Sequence, residues 1–293
     1  MGPVNTEVSV RNKPVRLPKK KSTAGRYISA AVLVIVTVIM LLPIFYMIST
    51  ALKSNVEIRK VPPTIIPSTL HFENFGLIFS KIRFGTYFFN SIFVAVLVLI
   101  GTLLSSSLVS FGFARYKARE KNLLFMILLS TLMLPYPALI IPQYLLFRNI
   151  GWVDSFLPLI VPSFFGSAYM IFLLKQFFSS LPNDLFDAAK IDGCSEFRTW
   201  WNIALPLCKP AMATVSIFTF LWTWNDFITP VIYLNTDSKF TLPIGMSGMI
   251  SAFRLIPWNL IMVGSVYSLL PVFILFFIAQ KYFVEGIVLT GLK

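Results

Sequence analysis

Ionisable side chains are scarce in this chain. Asp, Glu, Lys and Arg together make up 13% of its 293 residues, while hydrophobic residues make up 56%. A soluble domain carries about a quarter charged residues, so this composition excludes that class. The one histidine, His71, excludes metal and haem sites built from several histidines. It falls in a loop and reads as a solvated or locally bonded side chain. No G-x-x-x-x-G-K-[ST] phosphate loop is present, so the chain does not bind ATP in that way. H-E-x-x-H and G-x-S-x-G are also missing. No catalytic constellation remains. The chain is not read as an enzyme, and no catalytic residue, metal or cofactor of its own is assigned. The two cysteines, Cys194 and Cys208, are not spaced as Cys-x-x-Cys. They read as free thiols facing a reducing compartment.

The apolar residues are concentrated. Charge-free runs extend from Tyr27 to Leu52, Gly85 to Ala114, Asn122 to Phe147, Ser155 to Leu174 and Leu255 to Gln280. Another runs from Pro210 to Asn225 and continues past Asp226 to Thr236. A bilayer core about 30 Å thick is crossed by roughly 20 apolar residues in a helix. Inside lipid the backbone satisfies its own polar groups, so the runs are expected to be helices. The expectation is an all-α polytopic membrane protein with six transmembrane helices. The first run is too long for the apolar stretch of a cleaved signal peptide, and no small-x-small site follows it. Prolines within the third, fourth and sixth runs predict bends.

Lys and Arg set the orientation. Placing the N-terminus in the cytosol puts Arg11 to Arg26, Arg115 to Lys121, Lys190, Arg198 and Lys281 on that side. The opposite side keeps fewer, among them Lys53, Lys81, Arg83 and Arg254. The bias predicts N-in and C-in. The net charge of +13 therefore reads as topology, and no nucleic acid partner is assigned. Residues 1–26 read as a basic cytosolic tail, solvated or touching anionic lipid heads. Residues 27–293 read as the membrane domain. Asp226, beside Trp222 and Trp224, is the exceptional acid of the spans. It reads as an interfacial residue in an aromatic belt, with a proton relay as the competing reading.

Residues 182–206 form a charged insert between two apolar runs. Asn183 is expected to cap a helix, with Asp184 and Asp187 in its first turn. Leu185, Ala188 and Ala189 would form a narrow apolar stripe. Gly193 suits the left-handed residue that ends such a helix. Ser195 would cap a second helix carrying Phe197, Trp200 and Trp201, and Leu205-Pro206 would end the unit at the membrane. A helix lying on lipid would be richer in Lys and Arg, so the insert reads as a docking element. On the other side, the loop from Asn235 to Pro257 carries Ile244, Gly245, Met246, Met249 and Ile250. Exposed, these apolar residues would mark a contact; re-entry into the membrane or packing on the protein's own outer face is the competing reading.

Asp187-Ala188-Ala189, Asp192-Gly193 and Leu205-Pro206 resemble the coupling loop of permease subunits of binding-protein-dependent ABC importers. The likeness extends to Asn90-Ser91, Gly112-Phe113-Ala114-Arg115, Leu134-Pro135, Ile141-Pro142, Trp224-Asn225-Asp226-Phe227 and Gln280 to Val284. The C-terminal segment is similar to the carbohydrate-uptake branch. The family usually has Glu where Asp187 stands, one methylene longer, so the pairing with an ATPase is weaker or re-aimed here. The resemblance implies a type I importer permease fold in a bacterial inner membrane. Its partners would be a second, different permease subunit, two ATPase subunits that use ATP and Mg, and an external substrate-binding protein. It makes Asp187, Ala188, Ala189, Asp192, Gly193, Leu205 and Pro206 the coupling residues. It also makes Ile244, Gly245, Met246 and Met249 the binding-protein contact, and Asn90, Trp224, Asn225 and Asp226 the pathway candidates. Within the branch the chain looks like the smaller permease subunit of an alginate-oligosaccharide importer. Lys53, Lys81, Arg83 and Arg254 would suit an anionic oligouronate and are equally ordinary loop charges. A self-contained ion-coupled carrier or channel remains the alternative class, normally marked by repeats and intramembrane charges.

Overall fold

A backbone surrounded by hydrocarbon closes its own hydrogen bonds by coiling. The computed structural model describes residues 23–252 and 256–290, with side chains over 27–250 and 256–281, and among the described residues it forms helices and no strands. The expected tail, 1–26, lies outside the described residues except for its last four, which open the first helix. Arg254 also lies outside them.

Two units divide the chain, 1–46 and 47–293. The first supplies most of α1, Thr23–Ala51, which has no Asp, Glu, Lys or Arg after Arg26. The second begins with the end of α1 and continues through α2 (Asn55–Ile58), α3 (Asn74–Lys81) and α4 (Phe84–Arg115). Then come α5 (Lys121–Ser130), α6 (Tyr136–Asn149), α7 (Leu157–Ile160) and α8 (Ala168–Ser180). The insert forms α9 (Asn183–Ile191), α10 (Glu196–Thr199) and α11 (Leu205–Leu207). The chain then forms α12 (Lys209–Trp224), α13 (Ile228–Tyr233), α14 (Leu242–Ala252) and α15 (Trp258–Thr290).

Among the described residues, four helices are long and apolar enough to cross a bilayer, over Tyr27–Ala51, Phe84–Arg115, Leu157–Ser180 and Trp258–Lys281. Two further spans exist if bent pairs are counted: Lys121–Met133 with Tyr136–Asn149, bent by 98°, and Glu196–Leu207 with Lys209–Trp224, bent by 83°. The first bend falls at Leu134, whose extended φ/ψ of −77°/115° is what a following proline favours. The second falls at Cys208, just before Lys209-Pro210. By contrast, Pro43, Pro142 and Pro271 sit inside α1, α6 and α15 without ending them. The fifth run differs from expectation: α12 stops at Trp224, and residues beyond Asp226 form the short, separate α13.

α4 organises the second unit because it shares in two cores. Near its start Phe84, Tyr87 and Ala95 pack with Ala51, Ile78, Phe220, Trp224, Leu242 and Val263. Near its end Phe111 packs with Met170, Leu174, Phe178, Trp200, Ala204 and Val215. Between them the helix is lined with small residues. Ser106, Ser107 and Ser110 are fully buried. Ser110 Oγ donates to the carbonyl of Ile171 at 3.1 Å, and Ser167 N–H donates to Ser106 Oγ at 3.1 Å. A Cβ on Gly101 would lie 2.4 Å from Ser163 Oγ. Such close backbone approach, closed by hydroxyl hydrogen bonds, holds helices together where lipid removes the hydrophobic drive. Large apolar side chains on α5, α6 and α15, such as Met126, Ile141 and Phe277, are exposed, as suits lipid or neighbouring subunits.

Candidate functional site

The insert is a short helix closed by a tight turn. Asp184 lies in the first turn of α9 and Lys190 in its last, each matched to the helix dipole. The helix ends in a Schellman motif. Gly193 takes φ +74°, Gly193 N–H donates to Lys190 O at 3.1 Å, and Cys194 N–H donates to Ala189 O at 2.9 Å. Asn183 does not cap the helix as expected. Pro182 holds that position, and Asn183 Oδ1 accepts from Arg115 Nη1 at 2.7 Å. Ser195 does cap α10, accepting from Arg198 N–H at 3.4 Å. The second helix is not one regular unit: a π-helical turn over Trp200–Ala204 follows α10. Leu205 and Pro206 do not end it either, since they lie in α11, and the break comes at Cys208.

The expected stripe splits between two faces. Ala189 turns inward and is 4% exposed. Leu185, Asp187, Ala188, Asp192 and Gly193 are exposed. The outward face carries more apolar surface than the stripe implied, because Ile191, Phe197 and Trp201 are 85%, 63% and 50% exposed. Ile191, one helical turn beyond Ala188, was the signal available in the sequence. Inward, Phe186 packs on Phe111 with ring centroids 6.0 Å apart. A cavity of about 410 Å³ opens beside this seat, lined by Arg115, Tyr116, Asn183, Phe186, Asp187 and Glu196 among others. Burial and a hydrogen bond to Glu196 raise the Tyr116 phenol above its usual value.

On the face assigned to the outside, the segment from Asn235 is not an open apolar loop. Asp154, at φ +60°, accepts from Asn235 N–H (3.0 Å), Thr236 N–H (2.9 Å), Thr236 Oγ1 (2.6 Å) and Lys239 Nζ (3.0 Å). These bonds hold its carboxyl well below the usual carboxylate range. Asn90 Nδ2 donates to the carbonyls of Ser238 and Phe240, both at 3.0 Å. Asp237 takes Tyr87 OH at 2.5 Å and Arg83 Nε at 3.3 Å. Pinned in this way, the chain enters α14 with one face against α4 and α15. That placement divides the expected contact set between buried and half-buried positions. Met249 is fully buried, and Gly245 is buried where a Cβ would lie 2.0 Å from Tyr87 Cδ2. Ile244 and Met246 are half-buried, and Gly248 and Ile250 are the exposed positions.

The pathway candidates also separate. Asn90 is committed to bracing the 238–240 segment. Trp224 is 2% exposed and donates through Nε1 to Ser268 O (3.1 Å) and Ser268 Oγ (3.2 Å). Asp226 Oδ1 accepts from Thr229 N–H at 3.1 Å, in the first turn of α13. It borders a cavity of only about 70 Å³. Asn225 and Trp224 both line a sizeable opening, about 430 Å³, shared with Ser265 and Ser268 of α15. Those serines went unsuspected in the sequence, having no charge or motif to mark them. Lys53 does not face outward: it is 2% exposed and its Nζ donates to the carbonyls of Thr64 and Ile65. His71 is bonded locally, to Thr69 and Glu73. Among the described residues, no three His, Cys, Asp or Glu side chains come together as a metal site.

Residues 98–288 match the family described as the inner membrane component of binding-protein-dependent transport systems. The chain belongs to that family. This permease is 35% identical over 257 residues to the arabinooligosaccharides transport system permease protein AraQ of Bacillus subtilis (strain 168), covering 86% of this chain and 90% of the relative. It is 30% identical over 263 residues to the sn-glycerol-3-phosphate transport system permease protein UgpE of Yersinia enterocolitica, covering 87% and 93%. The permease shares its fold with a chain in the crystal structure of a bacterial ABC transporter involved in the import of the acidic polysaccharide alginate. The TM-score is 0.77 at 23% identity, over 91% of this chain and 100% of the other. The fold is thus that of a type I ABC importer permease, and the chain is a transport component of a membrane system.

Proposed function

We propose that this permease forms half of a translocation pathway for an oligosaccharide in a bacterial inner membrane. It pairs with a second, different permease subunit, two ATPase subunits and an external substrate-binding protein. The chain binds no cofactor itself; ATP and Mg act on the ATPase subunits. Closure of the ATPase dimer pushes on the α9 loop, and the spans alternate between outward and inward openings. The observation that supports this reading best is the outward face of α9. An ordered helix, closed by a Schellman turn, presents Asp187, Ala188 and Ile191 with Phe197 and Trp201 nearby. Exposed apolar surface on so ordered an element fits a protein groove. The half-exposed rim of α14 at Ile244, Met246 and Ile250 is the surface offered to the binding protein.

The 35% relative favours arabino-oligosaccharides as the first cargo to test. Alginate oligomers are the second cargo. With Lys53 buried and Arg83 paired to Asp237, the outer loops offer an anionic cargo less than their composition implied. A self-contained ion-coupled carrier loses its main sequence support, because Asp226 is bonded to the first turn of α13. The deciding experiment expresses the chain with its neighbouring genes, purifies the complex, and measures ATPase activity with binding protein loaded with each sugar. Stimulation by one sugar is expected and identifies the cargo. A permease that purifies without any ATPase overturns the reading.

A further inference from the structure

Helix α9 touches the spans through few side chains, and one of them reaches three elements at once. Arg115 is the last residue of α4. Its Nη2 donates to the carbonyls of Phe178 (2.5 Å) and Leu181 (2.9 Å), at the C-terminal end of α8. Its Nη1 donates to Asn183 Oδ1 at 2.7 Å, on the first turn of α9. Its guanidinium carbon lies 3.7 Å from the centre of the Phe186 ring, also on α9. The carbonyls at the end of α8 are weakly partnered by the backbone, Phe178 O only by Leu181 N–H at 3.4 Å, and carry the negative end of the helix dipole, so a cation is favoured there. A guanidinium is planar and forked, so one side chain can cap α8, hold Asn183 and cover an aromatic face together. A lysine ammonium keeps the charge and lacks the fork. Phe186, packed on Phe111 and its cluster, and the buried Ala189 make apolar contacts inward, which lack the directionality of the Arg115 hydrogen bonds.

We infer that Arg115 is the positioning residue that locks α9 to the ends of α4 and α8, so that a push on the coupling loop moves both spans together. The inference rests on the proposed role of α9 as the loop that receives motion from the ATPase. The structural alternative is a helix-end arginine that only stabilises the fold; its loss would lower assembly, ATPase activity and uptake in parallel.

The test uses the full complex in proteoliposomes, with binding protein loaded with arabino-oligosaccharide. Uptake and ATP hydrolysis are measured in the same vesicles for wild type, Arg115→Lys, Arg115→Ala and Asn183→Ala. Uptake per ATP is expected to fall about tenfold in both Arg115 variants, with hydrolysis within about twofold of wild type. Asn183→Ala, which removes one leg of the joint, is expected to lower the ratio about threefold. A wild-type ratio in Arg115→Lys, or uptake and hydrolysis falling together, overturns the inference. Amide exchange on the purified permease gives a second readout that needs no partner. Exchange over residues 185–191 is expected to quicken about tenfold in Arg115→Ala, and unchanged exchange overturns the joint. A wild-type complex that hydrolyses ATP without uptake would defeat the functional reading itself, while the exchange result still reports on the joint.

Discussion

The two ends of α4 are built on opposite principles. At the Phe84 end, polar side chains turn inward and bond to the chain itself. Asp154, Asn90, Tyr87 and Arg83 hold the 235–240 segment, and buried Asn74 donates to the carbonyls of Ala51 (2.8 Å) and Lys53 (3.0 Å). At the Arg115 end, one arginine closes the joint, and apolar side chains of the insert point outward. A region in which so many polar groups bond to one another has less left for a partner and becomes rigid. A region that is anchored by a few contacts and exposes apolar surface becomes stable in company. Shape is thus fixed at one end and transmitted at the other.

That contrast can be broken most severely at Gly245. A Cβ there meets Tyr87 at 2.0 Å, with the ring held by its hydroxyl bond to Asp237. Gly245→Val is expected to destabilise the permease by about 3 kcal/mol through overpacking, read as a lower thermal midpoint in detergent. A midpoint equal to wild type would show that the Phe84 end is soft.

Asp154 comes next. Asp154→Ala frees the backbone N–H groups of Asn235 and Thr236 and is expected to lower the midpoint by about 4 °C. The same carboxylate predicts a pH dependence. Its folded value is depressed, so its contribution is complete above the unfolded carboxylate value near 3.9 and is lost as pH falls below that. Limited proteolysis of the 235–240 segment should therefore accelerate on acidification in wild type. Asp154→Asn should lack that acceleration, and an identical acid profile in both would count against the clamp.

The Arg115 end should respond differently. Ile191→Asp alters a side chain that is 85% exposed, so the midpoint stays within error of wild type. Binding of the ATPase is expected to weaken about tenfold if the face is a docking surface. A loss of stability, or unchanged ATPase binding, would erase the distinction between the two ends.

The sequence revealed the helices because composition alone decides what lipid accepts, and it revealed the α9 turn because Gly193 is the residue that a left-handed cap selects. Bends were only partly legible. Pro135 breaks a span where Pro142 and Pro271 do not, since the outcome depends on how the surrounding structure satisfies the freed carbonyls. The inward face of α14 was not legible. Gly245 and Met249 look like any apolar loop residues until Tyr87 and the neighbouring helices are in place. Lys53 misled for the same reason, because nothing nearby in the sequence shows that the Thr64 and Ile65 carbonyls return to meet it. The opening beside Trp224 was the least visible, because Asn225, Ser265 and Ser268 carry no mark in the sequence of the cavity they share.

The smallest expected effect separates backbone strain from crowding. Gly193 and Gly245 both resist substitution, for unlike reasons. Around Gly193 nothing lies within 4 Å of an added Cβ, so space is open and only φ +74° opposes a side chain. Gly193→Ala should then cost about 1 kcal/mol, the usual strain of a left-handed L-residue. Gly193→Asn should cost less, because asparagine adopts that region more readily. The sensitive probe is amide exchange at Cys194, whose N–H closes the turn on Ala189. Exchange should quicken in the order wild type, Asn, Ala. If Asn and Ala quicken it equally, side-chain bulk rather than φ governs the turn, and the Arg115 end is packed more tightly than its open surface implies.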